Sequence, residues 1–391
     1  MKILIFSHQL EFGGGLVNAI ELAAALRDLH GQEVVFFATS GPMAKLVEEK
    51  GLRFFPAPAA QFHPSLARMR ALREVVRRER PDLLHVWEYY QCLDAYYVEH
   101  LLMRIPMAVT GMMMTINRIL PKMLPTTFGT PELVDRASAA GRRRVKLLLP
   151  PVDVHLNAPN TVDPEPFREQ YGIQLGDITL VTVSRLSSLD DIKFESLSRT
   201  IDAVGMLGRE LPLRFVIVGD GEVRTELERL AKNTNAKLGR AAVVLTGALI
   251  DPRPAYAAAD IVVGMGGSAL RGMAFGKPVV IVGARGFSAP FTPETSKSFY
   301  YKGMYGVGDD STDNARLVGD IRELAEHPDQ RQALGEFSRQ FVLNHFSLEK
   351  VSAGFAEFCH FAVANQPRFH IAAADGLRTA AVWARERRFW E

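Results

Sequence analysis

Glycine clusters stand at two points of the sequence where a predicted strand passes into a predicted helix. Their members are Gly13, Gly14 and Gly15 in the first half of the chain, and Gly264, Gly266 and Gly267 in the second. The second cluster precedes a helix that we expect to begin near Ser268. Backbone amide groups and the helix dipole at such a junction can bind an anion, whereas a simple tight turn needs glycine only for its backbone angles. The clusters therefore indicate two candidate anion sites, each with a structural turn as the alternative.

Arg185 and Lys193 are the cations best placed to act on such an anion. The first ends the strand-like run ITLVTVSR, and the second lies eight residues later at the expected start of a helix. Ligands of open α/β sheets bind at the carboxyl ends of the strands, where two cations could neutralise the charge on a departing diphosphate. The alternative is a pair of solvated cations partnered by Asp190 and Asp191. The turn VGDGE, which contains Gly219, is a weaker signal at the same edge.

His85 lies near the end of the run DLLHVW, so we expect it at the carboxyl edge of a strand, facing a cleft. A hydrogen-bonded structural histidine is the more common alternative. The sequence has no nucleophile elbow, no H-E-x-x-H motif and no Cys/His cluster, which leaves covalent hydrolases and zinc enzymes without support. No Asp-x-Asp pair ends a strand, and we therefore expect chemistry without a metal or other cofactor. The second strand ends in FFATSG without an acidic residue, which argues against nicotinamide binding.

The elements that must position these residues alternate between short apolar runs and helix-length stretches, which is typical of parallel sheets covered by helices. The runs are KILIFS, EVVFFA, LRFFP, DLLHVW and PMAVTG, and then ITLVTVSR, LRFVIVGD, AVVLTG, ADIVVG and KPVVIVG. The breaker-rich stretch NAPNTVDPEPF separates the two sets. We expect an α/β protein with two doubly wound, Rossmann-like parallel-sheet domains over residues 1–158 and 159–345, and terminal helices over residues 346–391.

Composition limits the possible partners. The 391 residues fit two domains, and 46 basic against 44 acidic residues give no support to nucleic-acid binding. Only two cysteines are present, without metal-ligand spacing, so we expect a reducing, cytoplasmic location. The opening MKILIFS reads as a first strand, not as a signal peptide.

Arginines crowd the stretch RMRALREVVRRERP and recur in GRRRVK. They are Arg68, Arg70, Arg73, Arg77, Arg78, Arg80 and Arg142 to Arg144. A basic helix face can rest on anionic lipid. We favour a solvated helix with Glu74 and Glu79 as its ion-pair partners, because surface charge runs are usually of that kind. Peripheral membrane contact is therefore not the favoured interpretation.

The ordered set of motifs resembles the retaining, nucleotide-sugar-dependent glycosyltransferases of the GT-B fold, family-4 type. The matching pieces are the glycine turn at 13–15, PDLLHVW, PPVDVHLNAP, VSRL with the following lysine, VIVGDGE, LTGAL, YAAADIVVGMG and MAFGKPVV. The resemblance covers nearly the whole chain. It implies two domains facing a cleft, with terminal helices that return to the first domain.

The resemblance also implies roles for individual residues. Arg185 and Lys193 would hold the donor diphosphate, His85 would lie near the donor sugar, and Gly14 and Gly15 would approach the phosphates or the acceptor from the first domain. The remaining donor-binding candidates are Gly219, Gly264, Gly266, Gly267, Ser268 and Arg271. The donor would be a nucleoside-diphosphate sugar, most often a uridine one, and the acceptor a small molecule, a glycan or a lipid-linked compound.

Two positions depart from the family pattern. The family usually carries two glutamates around the second-domain glycine turn, where this chain has Val263 and Arg271. Arginine has no hydrogen-bond acceptor for ribose hydroxyl groups. The expected activity is metal-independent hexosyl transfer with retention of configuration. The alternatives are an inactive protein that binds sugar nucleotides, and a sugar phosphorylase or epimerase on the same fold.

Overall fold

The computed structural model describes residues 1–11, 13–88, 90–188, 192–310 and 313–386. The chain divides into two compact units. Unit 1 comprises Met1–Pro151 and Leu348–Glu391, and unit 2 comprises Val152–Ser347. Each unit is described separately below.

The described part of unit 1 contains one sheet of seven strands, all parallel to their neighbours, in the order β3-β2-β1-β4-β5-β6-β7. The strands are β1 Lys2–Phe6, β2 Glu33–Thr39, β3 Arg53–Ala57, β4 Leu83–Trp87, β5 Met107–Gly111, β6 Thr126–Phe128 and β7 Val145–Leu147. The helices that connect them are α1 Gly14–Asp28, α2 Ala44–Glu49, α3 Leu66–Glu79, α4 Tyr90–Ala95 and α5 Pro131–Ala139, with a π-helical segment at Tyr96–Leu102. The order reverses between β1 and β4, and ligands of open α/β sheets bind beyond the carboxyl ends of strands at such a switch point.

Unit 2 contains, among its described residues, one sheet of six strands in the order β10-β9-β8-β11-β12-β13, in which only β13 is antiparallel. The strands are β8 Ile178–Val183, β9 Leu213–Val218, β10 Val243–Gly247, β11 Ile261–Gly264, β12 Val279–Val282 and β13 Ser288–Pro290. The helices are α6 Glu165–Gln170, α7 Ile192–Leu207, α8 Arg224–Leu238, α9 Arg253–Ala258, α10 Gly266–Ala274, α11 Pro293–Lys302, α12 Ala315–Glu326 and α13 Pro328–His345. Here the switch point lies between β8 and β11.

The last two helices, α14 Leu348–Ala364 and α15 Phe369–Glu386, belong to unit 1. Helix α14 buries Phe355, Phe358 and Cys359 in the same core cluster as β1 and α1. Tyr96 and Tyr97 hold α15 by donating hydrogen bonds to backbone carbonyl groups in it. The predicted fold class, two parallel-sheet α/β domains with terminal helices that return to the first, is confirmed.

Central strands are buried on both faces, which explains their near-continuous apolar runs. Residues 3–6 of β1 are at most 1% exposed, and the members of β9 are similarly covered. Elements that the sequence did not reveal are short: β6 has the sequence TTF, and β13 is an edge strand of three residues that ends in a proline. A three-residue strand carries no readable periodicity, and proline is tolerated at a sheet edge.

The arginine-rich helix α3 does not present all of its cations to solvent. Arg68 is buried, and its guanidinium donates hydrogen bonds to the carbonyl of Pro58 and the hydroxyl of Thr39. Arg142 is buried too, and donates to the carbonyls of Leu120 and Pro121. Both arginines therefore stabilise the interior of unit 1 through hydrogen bonds. The predicted basic face is smaller than the sequence indicates. Across the described residues, no helix has the length and apolar character needed to span a bilayer.

Candidate active site

Two loops at the carboxyl edge of unit 2 are joined backbone to backbone. Leu186 donates its N–H to the carbonyl of Asp220 at 2.9 Å, which ties the loop after β8 to the turn after β9. A Cβ at Gly219 would overlap the carbonyl oxygen of Ser184, and one at Gly221 would overlap that of Leu186. Both glycines also have positive φ, at 150° and 147°. Close packing alone thus requires glycine at both positions of the GDG turn.

Arg185 lies exposed in the loop after β8. The neighbouring carboxylate is Glu222, whose pKa is lowered by a hydrogen bond from Ser188 and also by the charge of Arg185. The Ser188 hydroxyl donates to Glu222 at 2.6 Å. The loop that carries Arg185 is therefore tied to the turn after β9 through Leu186 and Ser188, while Arg185 itself is exposed.

Lys193 is the second residue of α7 and is half-buried. Arg185 lies in the loop that follows β8 and Lys193 in the first turn of the next helix, so both predicted cations follow β8 in the chain. Asp190 and Asp191, the alternative partners for both cations, lie outside the described residues.

The second glycine cluster forms the turn from β11 into α10. Gly266 has φ +53° and donates its N–H to the carbonyl of Met304 at 2.9 Å. This positive φ lets the helix begin at Gly266, two residues before the predicted start at Ser268. Because β8 and β11 pair directly, with Val181 opposite Val262, the Arg185 loop and this turn follow neighbouring strands at the switch point of the sheet.

The hydroxyl of Ser268, a predicted donor-binding residue, already has a hydrogen-bond partner within unit 2. Its Oγ lies 3.2 Å from the hydroxyl oxygen of Tyr256, a fully buried side chain that stacks on Phe275. Burial raises the pKa of Tyr256, while the charge of Arg271 and the Ser268 hydrogen bond oppose that rise. Ser268 therefore joins the turn to the core beneath it.

Arg271 folds back along α10 to the first turn of the helix. Its Nη1 lies 3.4 Å from the carbonyl oxygen of Gly267, and a Cβ at Gly267 would be 3.3 Å from the same nitrogen. A guanidinium is thus held beside the amino end of α10, where a planar cation suits a phosphate or carboxylate. Val263 is 2% exposed within β11 and belongs to the core.

The glycine turn of unit 1 is built differently from the GDG turn. A Cβ at Gly13, Gly14 or Gly15 would meet no described atom within 4 Å. Helix α1 begins at Gly14, and no side chain caps it. Packing within the described residues therefore does not require glycine here, and the backbone is open to approach from outside.

His85 does not lie at the edge of the sheet as predicted. It is the middle residue of β4 and 0% exposed. Its Nε2 lies 2.8 Å from the Thr110 hydroxyl, and its ring packs on Phe355 at 4.7 Å between centroids. Burial lowers the pKa of His85 to about 3, so the imidazole is neutral. The error arose because two further residues extend β4 beyond His85, and we leave His85 out of the catalytic set.

Glu88 is a residue that the sequence did not single out. It follows β4 directly, at the switch point of unit 1, with a left-handed backbone of φ +67°. Oε1 accepts the N–H of Met112 at 3.1 Å, while Oε2 is buried and has no hydrogen-bond partner among the described residues. Burial raises the pKa of Glu88 to about 7. The positive φ of a non-glycine residue costs about 1 to 3 kcal/mol and often marks a functional position.

A second feature missed by the sequence lies at the same edge of unit 1. His63 donates from Nδ1 to Oδ2 of Asp94 at 2.7 Å, and Asp94 Oδ1 accepts the N–H of Ser65 at 2.6 Å. Asp94 is 0% exposed. His63 follows β3 by six residues while Asp94 lies on α4, so only the fold brings them together. Among the described residues, no group of three or more His, Cys, Asp or Glu side chains is arranged to hold a metal ion.

Comparisons with known proteins agree with the division into two units. The family model described as "Glycosyl transferases group 1" matches residues 177–298, in unit 2, and the model described as "Glycosyltransferase Family 4" matches residues 12–111, in unit 1. Together they match more than half of the chain. The chain belongs to the GT-B glycosyltransferases of the family-4 type. No curated protein matches it.

Solved structures similar to this glycosyltransferase cover more than nine-tenths of its length but share little of its sequence. A glycosyltransferase from Rickettsia africae has a TM-score of 0.74 at 16% identity, covering 93% of this chain and 100% of its own. Anabaena HepE, in complex with UDP and glucose, has a TM-score of 0.69 at 17% identity, and the match covers 91% of this chain and 98% of HepE. A UDP-GlcNAc 2-epimerase from Neisseria meningitidis has a TM-score of 0.61 at 13% identity, and the match covers 92% of this chain and 99% of the epimerase. At these identities the likeness establishes the GT-B fold, which also carries an epimerase.

Proposed function

We propose that this glycosyltransferase transfers a hexose from a nucleoside-diphosphate sugar, a UDP-sugar, to a hydroxyl group of an acceptor with retention of configuration. The observation that carries the proposal is the switch point of unit 2, where β8 and β11 pair. There the Arg185 loop and the turn from Gly264 to Ser268 follow neighbouring strands, and Lys193 lies in the first turn of α7, the helix after the Arg185 loop. This arrangement of cations and backbone amides suits a diphosphate.

The two units divide the substrates in this proposal. Unit 2, the predicted donor domain of residues 159–345, binds the nucleotide sugar through Arg185, Lys193 and the turns at Gly219 and Gly264 to Ser268. Unit 1 binds the acceptor, and its open turn at Gly14 and Gly15 admits a substrate close to the backbone. The two cysteines are unpaired and buried, which supports a cytoplasmic, reducing location.

The chemistry proceeds without a protein nucleophile. The acceptor oxygen attacks the anomeric carbon on the face from which the diphosphate leaves, and the bond from that carbon to the phosphate oxygen breaks. The electron pair goes to the diphosphate, which also takes the proton of the acceptor hydroxyl. Arg185 and Lys193 stabilise the negative charge that develops on the leaving group.

A metal ion is not needed in this scheme, because fixed cations and a helix amino end already face the leaving group. Activity should therefore persist in EDTA. Loss of activity in EDTA with recovery in manganese or magnesium would contradict this part of the proposal.

The decisive experiment offers the purified chain a pool of UDP-, GDP- and ADP-sugars with a pool of glycan and lipid-linked acceptors, and identifies products by mass spectrometry. NMR of the product gives the anomeric configuration. Arg185→Ala should abolish most of the product, whereas Arg229→Ala, which removes an exposed arginine paired with Glu226 on the same unit, should not.

A protein that binds sugar nucleotides without transferring them is the second candidate. Val263 and Arg271 favour it, because a core valine and a cation replace the two glutamates typical of similar enzymes. Tight UDP-sugar binding without transfer, hydrolysis or epimerisation in any acceptor pool would establish this alternative.

A further inference from the structure

The imidazole of His63 is oriented by a buried carboxylate. Because Nδ1 donates to Asp94, the neutral ring carries its lone pair on Nε2. Asp94 is itself fixed by the N–H of Ser65 and by the Arg68 guanidinium, whose Nη1 lies 3.9 Å away. The His63 side chain remains 13% exposed while Asp94 is fully covered. The pair thus presents a hydrogen-bond acceptor of defined direction at a surface.

One aromatic ring stacks on this imidazole, and a second, exposed ring precedes it in the sequence. The Tyr90 ring stacks on the His63 ring at 6.0 Å between centroids, with 27° between the planes. Phe62, the preceding residue, is 67% exposed, and Tyr90 is 37% exposed. Large apolar rings are costly to leave in water, and binding sites combine aromatic walls with a few oriented polar groups. A pyranose presents apolar C–H faces and hydroxyl donors, and so matches both features.

The backbone of His63 is held from a third element. The indole N–H of Trp383 on α15 donates to the His63 carbonyl at 2.7 Å. The loop is therefore anchored through its side chain to α4 and through its backbone to α15. Because the loop is already ordered, it loses less conformational entropy when a ligand binds.

We propose that His63, oriented by Asp94 and stacked on Tyr90, forms together with the exposed Phe62 a subsite of unit 1 that accepts a hydrogen bond from a hydroxyl group of a carbohydrate acceptor. His63 is a binding residue and Asp94 a positioning residue. The inference rests on the proposed function, because only that function makes the bound sugar an acceptor substrate. It narrows the acceptor to a carbohydrate class.

The test uses the full chain and methyl glycosides of glucose, galactose, mannose and N-acetylglucosamine at millimolar concentration. Saturation-transfer NMR measures their binding with and without UDP, and the Trp383 indole N–H resonance reports on the His63 loop. At least one glycoside should bind and shift that resonance. Asp94→Asn should convert the His63 ring to the Nε2–H tautomer in ¹⁵N spectra and weaken glycoside binding about tenfold. His63→Gln should weaken it by a similar factor.

His30→Gln is the matched control, because His30 is another partly buried histidine of unit 1 with one side-chain partner, Ser352. It should leave glycoside binding unchanged. A changed tautomer in Asp94→Asn with unchanged glycoside binding would overturn the inference, as would failure of every glycoside to bind wild-type protein. The glycoside measurement needs no donor, so it decides this inference separately from UDP-sugar binding, on which the proposed function depends.

Discussion

The carboxyl edges of the two sheets differ in what their glycines do. In unit 2, Gly219 and Gly221 let two loops touch backbone to backbone, and any side chain would strike a carbonyl group. In unit 1, Gly14 and Gly15 border open space. The same residue type thus serves close packing on one unit and borders open space on the other. A glycine-rich turn acquires a functional meaning only when its surroundings in the fold are known.

The charged groups follow the same division. Arg185, Asp220 and Glu222 at the unit 2 edge are exposed, and the charge of Arg185 helps to lower the pKa of Glu222. At the unit 1 edge, Asp94 is fully buried, while Glu88 is half-buried with its Oε2 covered. In the proposed function, the exposed charges of unit 2 suit a strongly charged ligand. The buried carboxyl groups of unit 1 suit a ligand with oriented hydroxyl groups.

Gly219→Ala should have the largest effect, because a methyl group would overlap the Ser184 carbonyl and alanine would be strained at φ +150°. We expect a loss of several kcal/mol in the free energy of unfolding. Thermal unfolding gives the magnitude, and hydrogen exchange over residues 178–247 localises it. A variant as stable as wild type would show that the two loops can separate without cost, and the proposed contrast between the units would fail.

Arg185→Ala and Lys193→Ala should come next, each lowering turnover by about 10² to 10³ because each cation stabilises the departing diphosphate. Stability should change little, since Arg185 is exposed. Steady-state kinetics with a UDP-sugar measures the loss, with Arg229→Ala as the control. If the UDP dissociation constant rose by the same factor while turnover stayed constant, the cations would serve binding only.

Much of this contrast could be predicted from sequence, and the reasons for the rest are physical. Apolar runs located the central strands, and their carboxyl ends located Arg185 and the two glycine turns. His85 was misplaced because a run such as DLLHVW does not mark where the strand ends. Glu88 and the pair of His63 and Asp94 have no local signature: the first depends on burial and a left-handed backbone, and the second joins residues 31 positions apart.

Glu88→Gln should change the pH dependence of stability. The pKa of Glu88 is about 7 in the folded protein and about 4.5 when unfolded, so its stability contribution is complete below pH 4.5 and is lost as pH rises through 7. The loss is roughly 3 kcal/mol. Urea unfolding of wild type and Glu88→Gln at pH 5 and pH 8.5 should show the variant gaining relative to wild type at the higher pH. An identical difference at both pH values would mean that Glu88 is solvated and that the unit 1 edge is no drier than that of unit 2.

Arg271→Ala should weaken donor binding about five- to tenfold, about 1 kcal/mol, with a smaller change in turnover. The guanidinium sits beside the first turn of α10, where it can reach a phosphate or an acidic neighbour. Isothermal titration with UDP and with a panel of UDP-sugars separates affinity from preference. Arg271→Glu should restore an acceptor for ribose hydroxyl groups. If it weakened UDP binding more than alanine does, phosphate contact would be the role of Arg271.

Gly15→Ala should have the smallest effect on stability and is the sharpest test of the open turn. Alanine meets no described atom there and is favoured over glycine in a helix by about 1 kcal/mol, so the variant should be as stable as wild type or slightly more so. Gly354→Ala in α14 is the matched control, because it is also helical and uncrowded. Both variants should unfold at equal or higher temperature, but only Gly15→Ala should raise the KM for donor or acceptor, because only that methyl group occupies space left for a substrate. Unchanged kinetics in Gly15→Ala would mean that no ligand approaches this backbone, and glycine would then serve neither packing nor binding at this turn.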